Sequence, residues 1–161
     1  MRRGSLMIGP GVFPNRQFQL LTPVRVVEPV CDVACCRYRR AVTIGRVLAA
    51  TVDCAEPAAL ARFWLRLVGG EIDPRTVSHD WVALRDVPGI GNLGFQKVPE
   101  GKSTKNRVHL DIEVESIEEA AAEAVRAGAT VRGTTIEEPT NFLLVMLDPE
   151  DNEFCLIRRK G

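Results

Sequence analysis

The sequence predicts an α+β fold built from two βαβββ modules. Three observations carry this. Two helical stretches with one apolar face each follow a short β-compatible run and each ends at a glycine. Three further strand candidates follow each helix. The opening strands of the two sets, Leu48–Asp53 and Leu110–Glu115, lie about 60 residues apart, and an internal repeat of that length is the strongest organisational signal in the chain.

In the first set Leu48 to Asp53 is a short apolar run. Pro57 then stands where a first helical turn tolerates it. Ala58 to Val68 places Leu60, Phe63, Trp64 and Leu67 on one helical face, until Gly69-Gly70 stops it. Strands are expected around Glu71–Asp73, from Trp81 to Arg85, and from Leu93 to Val98, with a turn at Pro88–Gly91. In the second set Val108 to Glu115 alternates apolar and polar residues, as a half-buried strand does. Ser116-Ile117-Glu118-Glu119 reads as a capping box, with the serine and Glu119 satisfying reciprocal backbone donors. Gly128 closes the helix. Strands follow at Thr130–Ile136, Phe142–Leu147 and Glu153–Ile157, and Asp148-Pro149-Glu150-Asp151-Asn152 joins the last two.

The 161 residues suit one domain with a tail. Residues 1–45 hold seven arginines and two acids, a balance of +5, while the rest carries −5, so the formal net charge of zero hides a basic extension before an acidic domain. Prolines 10, 14, 23 and 29 break the extension, which is expected to be poorly ordered or a consequence of where translation is taken to start. The domain spans 46–161, with modules at about 46–100 and 106–158. Overall neutrality argues against a nucleic-acid partner, and no run is long and apolar enough to span a membrane. With five cysteines, an odd number, and no apolar leader, reduced thiols in a cytoplasm are expected. Cys31, Cys35 and Cys36 cluster in the extension without the fourth ligand or the nearby histidine of a zinc site, so they read as incidental.

Several stretches resemble the vicinal oxygen chelate superfamily, in particular the small bacterial glyoxalase-like and bleomycin-resistance-like domains. They are Val52-Asp53-Cys54-Ala55-Glu56-Pro57 running into Ala61-Arg62-Phe63-Trp64, Gly94 to Lys102, Asn106 to Asp111, and Asp148 to Leu156. The resemblance covers residues 46–158. It implies that the eight strands form an open, bowl-like sheet whose concave face holds a small molecule, and that the chain is a homodimer. Metal-dependent members take one ligand from the first and last strand of each module. Carried over one at a time, these positions fall near Val47, near Gly94 (with Gln96 two residues on), on His109, and on Cys155. Only His109 matches the pattern, with a thiol added. No cofactor is therefore expected. A divalent metal, if held at all, would rest on His109, Asp111 and Cys155.

The expected ligand-binding residues are Gln96, His109, Asp111, Cys155 and Trp81. Strand alternation puts His109 and Asp111 on one face, and a carboxylate beside a histidine can hold the tautomer needed for acid–base work. The bland alternatives are a histidine satisfied by its neighbours, a buried inert thiol at Cys155 and core aromatics at Trp64 and Trp81. Lys102, Lys105 and Arg107 precede the fifth strand and face either solvent or an anionic ligand. The expected function is binding of a small organic molecule without an intact catalytic metal site. The alternative is a metal-independent lyase, isomerase or hydrolase with His109, held by Asp111, as acid or base. Neither a phosphate-cradling loop nor a serine nucleophile elbow is present.

Overall fold

The computed structural model describes residues 44–161; the basic extension, with Cys31, Cys35 and Cys36, lies outside the described residues. Ten elements follow in the predicted order: β1 (Ala50–Cys54), α1 (Pro57–Val68), β2 (Glu71–Ile72), β3 (Trp81–Val87), β4 (Gly91–Lys97), β5 (Asp111–Glu113), α2 (Ile117–Ala127), β6 (Thr130–Glu137), β7 (Asn141–Leu147) and β8 (Glu153–Arg159). Each module builds its own open four-stranded sheet. The orders β1-β4-β3-β2 and β5-β8-β7-β6 are the same pattern twice, with one parallel pair, β1 on β4 and β5 on β8.

Local chemistry explains the element ends. α1 starts with Pro57, whose missing N–H is one that no helical carbonyl would have accepted, and ends at Gly69 with φ of 77°. Ser116 caps α2, its Oγ accepting the Glu119 N–H at 3.2 Å. The reciprocal half of the expected capping box does not form. The serine hydroxyl turns to the Glu118 carboxylate instead, at 3.4 Å. The fifth strand is also shorter than its alternation suggests: its ladder starts at Asp111 opposite Cys155, and Leu110 before it contributes its carbonyl, which accepts the Cys155 N–H at 2.9 Å.

Both helices cover one face of the sheets. Leu60, Phe63 and Trp64 of α1 pack with Val82, Leu84, Leu93 and Phe95, and with Phe154 and Leu156 of the second module, in one continuous core. The Trp64 and Phe154 rings meet edge to face with centroids 5.3 Å apart, and Phe63 closes the trio at 5.7 Å from Trp64 and 6.1 Å from Phe154. Trp64 is thus a core residue, as one of the two sequence readings holds. Its indole N–H donates to the buried Asp148 Oδ2 at 3.3 Å. Asp148 Oδ1 accepts the backbone N–H groups of Glu150 and Asn152, each at 2.9 Å, and so shapes the β7–β8 turn that Asp151 completes at φ of 63°. Burial pushes the Asp148 carboxyl up, against the pull of these donors.

Candidate functional site

Among the described residues, the other face of the second sheet carries no helix. Along β8, Glu153, Cys155, Ile157 and Arg159 alternate onto it, opposite Leu147, Val145, Leu143 and Asn141 of β7. Asp111 joins them across the parallel ladder from Cys155. His109, two residues before the strand, reaches the same face, with Nε2 3.3 Å from Asp111 Oδ1. One ligand atom each from His109, Asp111 and Cys155 lies within 4.8 Å of the other two. Cys155 is buried, and burial together with the neighbouring Asp111 carboxylate pushes its thiol up. A protonated thiol is a poor nucleophile, which agrees with the inert reading of this cysteine.

Glu153 sets the shape of the approach. Its buried carboxylate accepts the Asn106 N–H at 3.0 Å, pairs with Lys102 Nζ at 2.9 Å, and receives Arg132 Nη1 at 2.9 Å. The backbone donor and the Lys102 ammonium hold this carboxyl down at about 2. The loop before β5 is thereby pinned at two points, and Lys102 also closes it on itself by donating to the Thr104 carbonyl at 2.9 Å. Of the three basic loop residues, Lys102 is thus structural. Lys105 stands beside Cys155 in the wall of a cavity, and Arg107 lines the largest one.

Three cavities share His109. The largest, about 720 Å³, runs between β1 and the pinned loop and reaches Thr51, Asp53 and Glu150. The second, about 630 Å³, lies over Asp111, Leu143, Cys155 and Ile157. The third, about 280 Å³, is bounded by Lys105, Arg132, Val145 and Cys155. All three are lined largely by polar and charged side chains around apolar patches at Val52, Leu143, Val145 and Ile157, and are thus more polar than the usual small-molecule site.

Gln96 and Trp81 are placed differently. They sit opposite each other on β4 and β3, on the helix-free face of the first sheet, and Gln96 is exposed. Neither lines any of the three cavities that His109 lines. The repeat makes Gln96 and Cys155 equivalent by position in their modules, and equivalence within two separate sheets is not proximity. Arg132, Asn106 and Glu153 are not among the site residues expected from the sequence. Glu153 stands two residues before Cys155, a spacing that signals a shared strand face, whereas the reach of Arg132 from β6 has no local signature.

The family's four-position metal site does not fit these residues. Val47 lies before β1 and is 87% exposed. At Gly94 the place of a side chain is filled by Trp81, since a Cβ there would stand 2.5 Å from the indole. The first module therefore offers no donor at either position. What the second module offers is one imidazole, one carboxylate and one thiol, a set whose softness suits zinc better than an oxygen-seeking ion.

Comparison with known proteins places this architecture. A family profile described as a glyoxalase-like domain matches residues 49–157. No curated protein matches the sequence. Among solved structures, the chain resembles a glyoxalase/bleomycin resistance protein/dioxygenase family enzyme from Burkholderia phytofirmans PsJN, with a TM-score of 0.61 and 18% identity over 71% of this chain and 98% of that one. It also resembles a genomically encoded fosfomycin resistance protein from Listeria monocytogenes (TM-score 0.59, 11% identity, 72% of this chain and 94% of that one). A glyoxalase/bleomycin resistance protein from Albidiferax ferrireducens T118 superposes with a TM-score of 0.51 at 20% identity, covering 70% of this chain and 97% of that one. At such identities the structures share the fold, and function is argued from the site. With its two βαβββ modules and a profile match over most of its length, the chain belongs to the glyoxalase-like domain family of the vicinal oxygen chelate superfamily.

Proposed function

We propose that this chain binds a small organic molecule on the helix-free face of its second module, around His109, Asp111 and Cys155, without a resident catalytic metal. The observation that carries the reading is the convergence of three separate hollows on one histidine whose orientation is held by Asp111 at 3.3 Å. Support for the absence of a resident metal comes from the first module, where Val47 is off the strand and Trp81 fills the space at Gly94. Gln96 and Trp81 remain candidates for contacts by a ligand long enough to reach the first sheet. The bleomycin-resistance part of the names carried by similar structures agrees with a binding role, and the glyoxalase and dioxygenase parts agree with the second reading below. Among the described residues no helix is long and apolar enough to cross a membrane. A cytoplasmic homodimer without nucleic-acid or membrane partners is part of the proposal.

The test is an NMR titration with a fragment set, followed amide by amide. Ligands are expected to shift the signals of His109, Asp111 and Cys155, and His109→Ala to weaken binding by about 1–3 kcal/mol where it leaves a buried ligand group unpaired. Ligands whose affinity is unchanged in both His109→Ala and Cys155→Ala would place the site elsewhere.

A second reading rests on the same histidine. With Asp111 as its orienting partner, His109 is arranged for proton transfer in a lyase, isomerase or hydrolase reaction. The three donor atoms within 4.8 Å favour a metal-bound variant over no metal only if purified protein carries stoichiometric zinc, nickel or iron that His109→Ala removes. Elemental analysis of untagged protein decides this, and well under one equivalent is the expected result.

A further inference from the structure

The hollows that share His109 and Cys155 differ in charge from one side to the other. On the side of the smaller hollow stand Lys102, Lys105 and Arg132 against one carboxylate, Glu153. That carboxylate is already met by Lys102, by the Asn106 N–H and by a single N–H of Arg132. The remaining guanidinium donors of Arg132 make no hydrogen bond among the described residues, and Lys105 makes no ion pair among them. On the side of the larger hollow Asp111 pairs with His109, Glu113 pairs with Arg159 at 2.9 Å, and Glu138 stands with them. Positive charge is therefore in excess at one end and negative charge at the other. Between the ends, Val145 faces Cys155 and Leu143 faces Ile157 across the β7–β8 ladder, giving a four-residue apolar floor.

Resting on the binding reading above, we infer that the ligand class is a small organic anion. Its carboxylate head lies between Lys105 and Arg132, and its apolar body crosses Val145, Leu143 and Ile157. A planar guanidinium matches a carboxylate with paired donors, and an ammonium adds a point charge without fixed geometry. Arg132 is 58% exposed, so the attraction is partly screened and must weaken as salt is added. An apolar body without the anion gains only the floor. A body ending in an ammonium meets two like charges.

Hexanoate, hexan-1-ol and hexylammonium separate these cases because they share one chain and differ in the head. Titrated into isotope-labelled full-length protein at low ionic strength, hexanoate is expected to shift the amides of Lys105, Arg132, Val145 and Cys155. It should bind roughly tenfold more tightly than the alcohol, an advantage that shrinks at high ionic strength. Lys105→Gln, at a residue that makes no side-chain hydrogen bond or ion pair among the described residues, should remove most of that advantage and leave hexan-1-ol binding unchanged. Equal or tighter binding of hexan-1-ol or hexylammonium at the same amides, or hexanoate binding unaffected by Lys105→Gln, would overturn the anion assignment while leaving the site in place. Silence of these amides toward all three probes would overturn both the anion assignment and the site itself.

Discussion

The indole of Trp81 lies directly on Gly94. A Cβ at position 94 would stand 2.5 and 2.7 Å from two carbons of the ring and 3.3 Å from Thr51 Oγ1. Glycine is thus required there by the close approach of a neighbour, and not by its backbone angles. Gly94→Ala should destabilise the fold by about 1–3 kcal/mol, as overpacking does. Adding Trp81→Ala should recover part of that cost, so a double-mutant cycle by urea unfolding should give a coupling that differs from zero. Additive effects would show that the ring does not hold this position in solution.

Glu150 ties the two modules together. Its carboxylate accepts the N–H groups of Ala55 at 2.6 Å and of Glu56 at 2.9 Å, just ahead of α1. The N-cap of that helix, Glu56, supplies no side-chain capping bond, its carboxylate lying 3.7 Å from Lys97 Nζ instead. Glu150→Ala should cost about 1–2 kcal/mol, in the range of a lost helix cap, and Glu150→Gln less. The urea midpoints of the two variants check the order.

Acid should loosen the loop before β5. The folded-state carboxyl of Glu153 sits at about 2, below its ordinary 4.5, so its contribution is fully present above the higher value and is lost as pH falls towards the lower one. Thermal unfolding followed from about pH 5 down to about pH 2 should show a decline that Glu153→Gln lacks in part. Equal slopes in the two proteins would deny Glu153 this role.

The two described cysteines should react slowly. Burial, followed by the nearby Glu150 and Asp148 carboxylates, pushes the Cys54 thiol up to about 11, and burial with Asp111 raises Cys155. Peptide mapping after brief iodoacetamide treatment at neutral pH should find both far less modified than in urea-unfolded protein. Asp111→Asn should speed modification of Cys155 without affecting Cys54. No change at Cys155 would mean that burial alone protects it.

The module plan needed only local information. Leu60, Phe63, Trp64 and Leu67 announce α1 by their spacing, Pro57 and Gly69 mark its ends, and Ser116 with Gly128 brackets α2. The pairing of His109 with Asp111 was also legible, because residues two apart on extended chain share a face. The length of β5 was not. Its alternation runs from Val108, but the paired strand begins at Asp111, and Glu153, more than forty residues downstream, holds the Asn106 N–H in the loop before it. Nor could the sequence say which equivalent positions meet. Periodicity fixes the face on which Gln96 or Cys155 lies within its own sheet, whereas the meeting of Cys155 with His109, Lys105 and Arg132 depends on strand pairing and a long-range ion pair. Those contacts join residues far apart in the chain, and only folding in three dimensions selects them.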